Sequence, residues 1–329
     1  MIRTSRATTT PRSAEATSSG PTGPAHLCTL VTVKVIVLGS AAGGGFPQWN
    51  CGCPNCVLVR RGSPDVTVAT QDSVAVSGDG ENYYVLNASP DIHRQIQATP
   101  ELHPKGQRHT PIAGLVLSNG DMDHILGLFS LRESQPLSLF ATPRVLEGLL
   151  DRNAMAKTVQ RFDGHLTRRE LGLGVPVDLG AGLTLRAEPI AGKLPVHLEG
   201  ALPPSPEDNV ALVLEQGGRR LVYATACPDV RELAPLVDAS TTLLVDGTFF
   251  TETELVDLGL SKARAKSMAH QPMTGEHGSL EHIQRMGALR AIYTHINNTN
   301  AVLRRDSEQR AQVLTAGVEI AFDGMRFSV

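Results

Sequence analysis

Leu115-Val116-Leu117-Ser118-Asn119-Gly120-Asp121-Met122-Asp123-His124-Ile125-Leu126-Gly127-Leu128 passes from a strand-like apolar run, through a polar turn, into helical spacing that Phe129 and Leu131 continue. The run at Leu115–Leu117 has the composition of a buried strand. Ile125, Leu128, Phe129 and Leu131 then fall on one helical face. Ligand-bearing residues between a strand and a helix suit a layered α/β domain, because such folds build their sites at strand ends. Asp121, Asp123 and His124 together suit Zn2+, Fe2+ or Mn2+ rather than Ca2+ alone. The alternative reading is a helix N-terminus whose acids complement the macrodipole.

Outward from this unit the pattern repeats. Strand-like runs appear at Lys34–Leu38, Tyr83–Leu86, Leu137–Phe140, Leu183–Leu185 and Leu243–Val245, with another beginning near Arg290. Val210–Glu215 and Arg220–Ala224 flank Gln216-Gly217-Gly218-Arg219, a link whose tolerance of positive φ predicts a tight hairpin. Helical spacing recurs at Val145, Leu146, Leu149 and Leu150, at Ile283 and Met286, and at Val302, Leu303, Val313 and Leu314. Hairpins mixed with strand–helix alternation predict an α/β domain with mixed sheets over residues 31–329.

Composition excludes several classes. The 329 residues carry 30 Lys and Arg against 33 Asp and Glu, a net charge of -3 with no basic run, which argues against a dedicated nucleic-acid or membrane-surface binder. No apolar run approaches the roughly 18 residues of a membrane-spanning helix, so the expectation is a soluble, non-inserted protein. Residues 1–24 hold ten Ser or Thr, three Arg and one Glu without apolar periodicity, and residues 1–30 read as a disordered extension. A targeting peptide and a later translation start near Val31 or Val33 are the alternatives. Five Cys are too few for a disulfide scaffold in a chain this long, and their crowding points to metal in a reducing cytoplasm.

Cys51-Gly52-Cys53-Pro54-Asn55-Cys56 can aim three thiolates at one Zn2+, and a structural site needs a fourth ligand from elsewhere. His270, His277, His282, His295 and Asn298 all qualify. The alternative is three small unligated hydrophobic residues, as Cys28 and Cys227 are expected to be. Asp91 follows the strand ending at Leu86 and is either a first-turn acid or a site residue. Asp246-Gly247-Thr248 follows the strand Leu243–Val245, His270 lies in a later loop, and His295 opens Thr294-His295-Ile296-Asn297-Asn298. Acids and imidazoles recurring just past strands are expected to converge on one rim.

Residues 37–51, Asn87 to Asp91, Leu243 to Thr248, His295 to Asn300 and Ala321-Phe322-Asp323-Gly324-Met325 closely resemble the family of pyrroloquinoline quinone (PQQ) biosynthesis protein B. The resemblance runs from about Val33 to the C-terminus. It implies the metallo-β-lactamase αββα fold, two facing mixed sheets with helices outside, in a branch similar to ribonuclease Z. It also implies a structural zinc on Cys51, Cys53 and Cys56. The superfamily motif His-x-His-x-Asp-His reads here Asn119-x-Asp121-x-Asp123-His124, so the two histidines that help form one metal position are missing. Thr225 and Ala226 stand where a metal-bridging Asp should follow a strand. By that layout Asp123, His124 and His295 remain as the active-site metal ligands, two imidazoles and one carboxylate, the set that non-haem Fe(II) oxygenases use.

Members of the family have been described both as hydroxylases and as carriers that help move the finished cofactor toward the periplasm. Building the quinone from fused Glu and Tyr needs oxygen added to the tyrosine ring, chemistry that ordinary side chains do not supply. The expectation is therefore a cytoplasmic Fe2+-dependent hydroxylase acting on a Glu–Tyr-derived precursor. His270, Asp246 and Asp121 are expected to move protons, with His270 preferred, and Asp91 is a further candidate. A metal-dependent hydrolase and a carrier are the alternatives. Other proteins of the same biosynthesis and a second copy of the chain stand as candidate partners.

Overall fold

Period-two alternation along the first strand explains why its sequence is apolar throughout. Val35 and Val37 face one buried layer while Ile36 and Leu38 face another. The structure, a computed structural model, describes Met1 and residues 32–329. The extension read over residues 1–30, with Cys28, lies outside the described residues.

Strands are numbered in chain order. One sheet has the order β14 (Arg326–Ser328), β1 (Lys34–Gly39), β2 (Ser73–Ser77), β3 (Tyr83–Leu86), β4 (Ile112–Val116), β5 (Leu137–Ala141) and β6 (Leu166–Glu170). The other runs β13 (Glu319–Ile320), β12 (Arg290–Thr294), β11 (Thr241–Asp246), β10 (Arg219–Ala224), β9 (Val210–Gln216), β8 (Leu183–Pro189) and β7 (Val177–Gly180). Each is mixed. β3 through β6 pair in parallel and so do β10 through β13, while the remaining neighbours are antiparallel.

The two sheets face each other across a core that joins Val35, Val74, Leu86 and Val116 to Leu185, Leu212, Leu214 and Leu244. Helices cover both outer faces. The helix Ile92–Ala98 and the turns after Met122 and Pro143 pack on the first sheet through Ile92, Leu128 and Leu146. Ser279–Arg285 and Glu308–Thr315 cover the second through Ile283 and Val313. This is the expected αββα sandwich of the metallo-β-lactamase fold. The expected hairpin joins β9 to β10, with Gly217 and Gly218 at φ 58° and 77°, the twin positive values a two-residue hairpin turn demands.

The turn after β4 differs from the helix its spacing predicts. Only Met122–Ile125 is α-helical, and Leu126–Ser130 tightens to a 3-10 turn. Gly127 donates its N–H to Ala88 O at 2.8 Å, so a tertiary hydrogen bond takes the place of helix continuation. β6, with the sequence LTRRE, escaped sequence reading because it is an edge strand whose charged, exposed side chains suppress the apolar pattern. No helix among the described residues is long and apolar enough to cross a membrane.

Candidate metal centre

The parallel halves of both sheets deliver their C-terminal ends to one rim. β4 leads into Ser118–Asp121, and β11 and β12 end side by side with Asp246 opposite Thr294. The next residue, His295, takes φ 56°, an uncommon left-handed conformation for a residue with a side chain. Ile296 N–H to Ser40 O at 2.8 Å fixes the chain just beyond it. Strain of this kind persists where surrounding bonds over-determine it.

Asp123, His124 and His295 each present a ligand atom within 4.8 Å of the others. His124 Nδ1 lies 2.7 Å from Asn119 Oδ1, an acceptor, so Nδ1 carries the proton and Nε2 carries the lone pair. That Nε2 is buried and has no hydrogen-bond partner, a costly arrangement unless something electrophilic meets it. His295 Nε2 stands 3.3 Å from Asp123 Oδ2. Burial works against protonation of His295, but the hydrogen bond and charge of Asp123, with the charges of Asp72 and Asp246, lift it to about 9. Burial likewise opposes ionisation of Asp123, yet His124 and His295 hold its carboxyl well below the usual range. Two imidazoles, one carboxylate and an orphaned buried nitrogen fit a divalent first-row metal.

Beside this set lies a second group, Asp246, His270 and His295. Asp246 is fully buried and its oxygens are taken. Oδ1 accepts from Thr248 N at 3.0 Å and Thr248 Oγ1 at 2.7 Å, and Oδ2 accepts from Cys227 N at 3.1 Å and from His270 Nδ1 at 2.7 Å. Burial opposes the charge on Asp246, but His270 and His295 keep its carboxyl below the ordinary value. Thr248 Oγ1 also sits 2.9 Å from His295 Nδ1, and the rings of His270 and His295 stack with centroids 5.5 Å apart.

Asp246 therefore stands behind His270 and is not among the residues lining the cavity. Asp91 lies outside the lining too. Its carboxylate accepts from Gln71 N at 2.9 Å and Gln71 Nε2 at 3.1 Å, fixing that segment instead of facing the cavity. Asp121, Asp123, His124, His270 and His295 do line one cavity of about 380 Å³, with Met122, Phe249 and Met268.

Sequence reasoning missed the support beneath. Asp72, wholly buried, accepts from Thr294 Oγ1 at 2.6 Å and from Tyr223 OH, and burial pushes its carboxyl upward. Asn87 Nδ2 donates to the same Tyr223 hydroxyl at 3.1 Å. No local pattern marks these residues, since Tyr223 and Thr294 sit in ordinary strands, Asp72 and Asn87 flank strand ends, and they meet only between the sheets.

Across the Ala41–Ala42 segment stands the cysteine cluster, its sulfurs within 4.8 Å of one another. Cys53 caps the helix Pro54–Arg60, which places Cys56 one turn on. Asn298 Nδ2 lies 3.1 Å, 3.5 Å and 3.3 Å from the sulfurs of Cys51, Cys53 and Cys56. Among the candidate fourth ligands Asn298 is the one whose side chain reaches all three sulfurs. His270 and His295 are committed to the cavity. Burial drives the Cys53 thiol up to about 12, so a thiolate at that position calls for a nearby cation. Cys227 is a buried thiol outside both clusters.

Residues 82–296 match the family model described as a beta-lactamase superfamily domain. Coenzyme PQQ synthesis protein B of Methylobacterium nodulans is 42% identical over 301 residues, 89% of this chain and 99% of its own length. The protein of the same name from Azoarcus sp. is 42% identical over 308 residues, 90% of this chain and 100% of its own. A crystal structure of Zn2+-bound PqqB from Methylobacterium extorquens superimposes with a TM-score of 0.85 at 39% identity, covering 90% of this chain and 100% of that one.

Proposed function

Because the chain belongs to the coenzyme PQQ synthesis protein B family of the beta-lactamase superfamily, we propose that it serves PQQ synthesis as a metal-dependent enzyme, specifically a non-haem Fe(II) hydroxylase acting on the tyrosine ring of a small Glu–Tyr-derived precursor. The observation that carries this reading is the Asn119–His124 hydrogen bond of 2.7 Å. Where the superfamily motif has a metal-binding histidine, this chain has an amide that orients a ligand of the remaining metal position. The donors left are Asp123, His124 and His295, two imidazoles and one carboxylate that would hold one iron and suit a two-metal hydrolase poorly.

When bound, the ion would supply the activation of molecular oxygen that ring hydroxylation requires, with a separate reductant providing the electrons. The protein's residues supply position and proton control. Asp246 holds Nδ1–H of His270, which leaves Nε2 as the proton acceptor on the cavity side. Asp121 lines the same wall and is a second proton carrier. Cys51, Cys53, Cys56 and Asn298 would hold zinc away from turnover, a reading that the Zn2+-bound relative supports. Clustered free thiols suit a reducing cytoplasm, and other proteins of the synthesis would deliver the precursor.

The test supplies protein purified without oxygen with Fe(II), a reductant, O2 and the Glu–Tyr compound, and looks for a mass gain of one oxygen. Full activity with zinc under nitrogen, giving a hydrolysed product, would replace the hydroxylase with a hydrolase. No turnover with any metal, together with tight binding of the finished quinone, would favour a carrier.

A further inference from the structure

Lys193 lines the same cavity as Asp123, His124, His270 and His295, and its ammonium has no acidic partner among the described residues. Asp121 on the same wall is beyond ion-pair distance from it. Met122, Val196, Phe249 and Met268 supply an apolar wall around that charge.

The segment just before Lys193 is held at Ala191 and Gly192, while Lys193 itself is exposed. Ala191 N donates to Glu232 Oε2 at 2.6 Å, and Ala191 O accepts from Asn209 Nδ2 at 2.7 Å. Gly192 lies so close to Asn209 that an added Cβ would meet Asn209 Cβ at 2.5 Å, so only glycine fits without a shift. Asn209 Nδ2 also donates to Ala226 O at 2.7 Å, while its Oδ1 accepts from Asn119 Nδ2 at 3.4 Å. Asn119 in turn fixes His124. A continuous run of side-chain amides thus ties the backbone just before Lys193 to His124.

We propose that Lys193 is the specificity-determining residue of the cavity, binding a carboxylate of an acidic aromatic substrate whose apolar body rests on the Met122, Val196, Phe249 and Met268 wall. A cation kept beside an apolar wall favours a ligand that pairs charge with a ring over a neutral or basic one. The inference rests on reading this cavity as the reaction chamber. Its test involves no turnover, so loss of the hydroxylase reading and loss of the Lys193 assignment show up in separate measurements.

Zinc-loaded full-length protein is titrated calorimetrically with the dipeptide Glu–Tyr and with the same molecule carrying amides in place of both carboxylates. Wild type is expected to prefer the acid by roughly tenfold. Lys193→Met should erase that preference by weakening the acid alone, and Lys193→Arg should keep most of it. Gly192→Ala, which pushes this segment off Asn209, should weaken acid binding more than amide binding. The proposal is overturned if Lys193→Met keeps the preference, if it weakens both probes equally, or if wild type binds neither probe.

Discussion

Asn119 Oδ1 stands 2.7 Å from His124 Nδ1, so the first residue of the altered motif orients the last. The position therefore orients the imidazole that is the proposed metal ligand. Partners of this kind fix the tautomer and heading of a ligating imidazole, and their removal costs about 10–100-fold in metal affinity.

Asn119→Ala should therefore weaken metal binding at the cavity by about that factor while the cysteine cluster keeps its zinc. Metal titration of each site, followed by elemental analysis, checks this. Unchanged cavity affinity would remove Asn119 from the centre.

Cys53→Ser should lose zinc and lower the melting temperature by several degrees, because a closed thiolate site contributes its binding energy to folding. Asn298→Ala should do the same more mildly, leaving three sulfurs with water as the fourth ligand. Zinc content and thermal melts decide. A fully stable, zinc-free Cys53→Ser variant lacking activity would make the cluster the reaction centre.

His270→Ala should retain cavity metal yet slow turnover by roughly 100-fold. Asp246→Asn should act through the same residue, since an amide has one acceptor oxygen and cannot serve both the Thr248 N–H that Oδ1 takes and the Cys227 N–H and His270 Nδ1–H that Oδ2 takes. The signature is a changed pH–rate profile in Asp246→Asn with an intact metal content. Loss of metal in either variant would assign these residues to coordination instead.

Glu254 gives a pH prediction. Its carboxyl accepts from Phe250 N at 2.8 Å and from Thr299 Oγ1, but burial raises it from the ordinary 4.5 to about 7. Between those values the folded protein holds a proton that the unfolded chain has released, so stability falls as pH rises through that window. At about 1.4 kcal/mol per pH unit the loss reaches a few kcal/mol at most. Glu254→Gln should flatten this part of the stability curve and raise the melting temperature at pH 8. Denaturant melts from pH 5 to pH 8 test it, and parallel curves for the two proteins would contradict it.

Legible in the unfolded chain are the layered α/β class, the interior strands of both sheets except β2, the Gly217-Gly218 hairpin, and both chemical clusters at Cys51–Cys56 and Asp123-His124. These are local signals, since apolar alternation, positive-φ glycines and closely spaced ligands are written within a few residues. What completes each cluster emerges only on folding. Asp123 meets His295 across 172 positions, and Cys51 meets Asn298 across 247. Folding also decided that Asp246 and Asp91 turn away from the cavity, and that Asn119, Asn209 and Thr248 orient the residues that face it. An Asp or Asn at a strand end carries the same local pattern whether it caps, ligates or positions. Which of these it does depends on the donors that the other sheet brings within hydrogen-bonding distance, and that is fixed only when the two sheets close over their shared core.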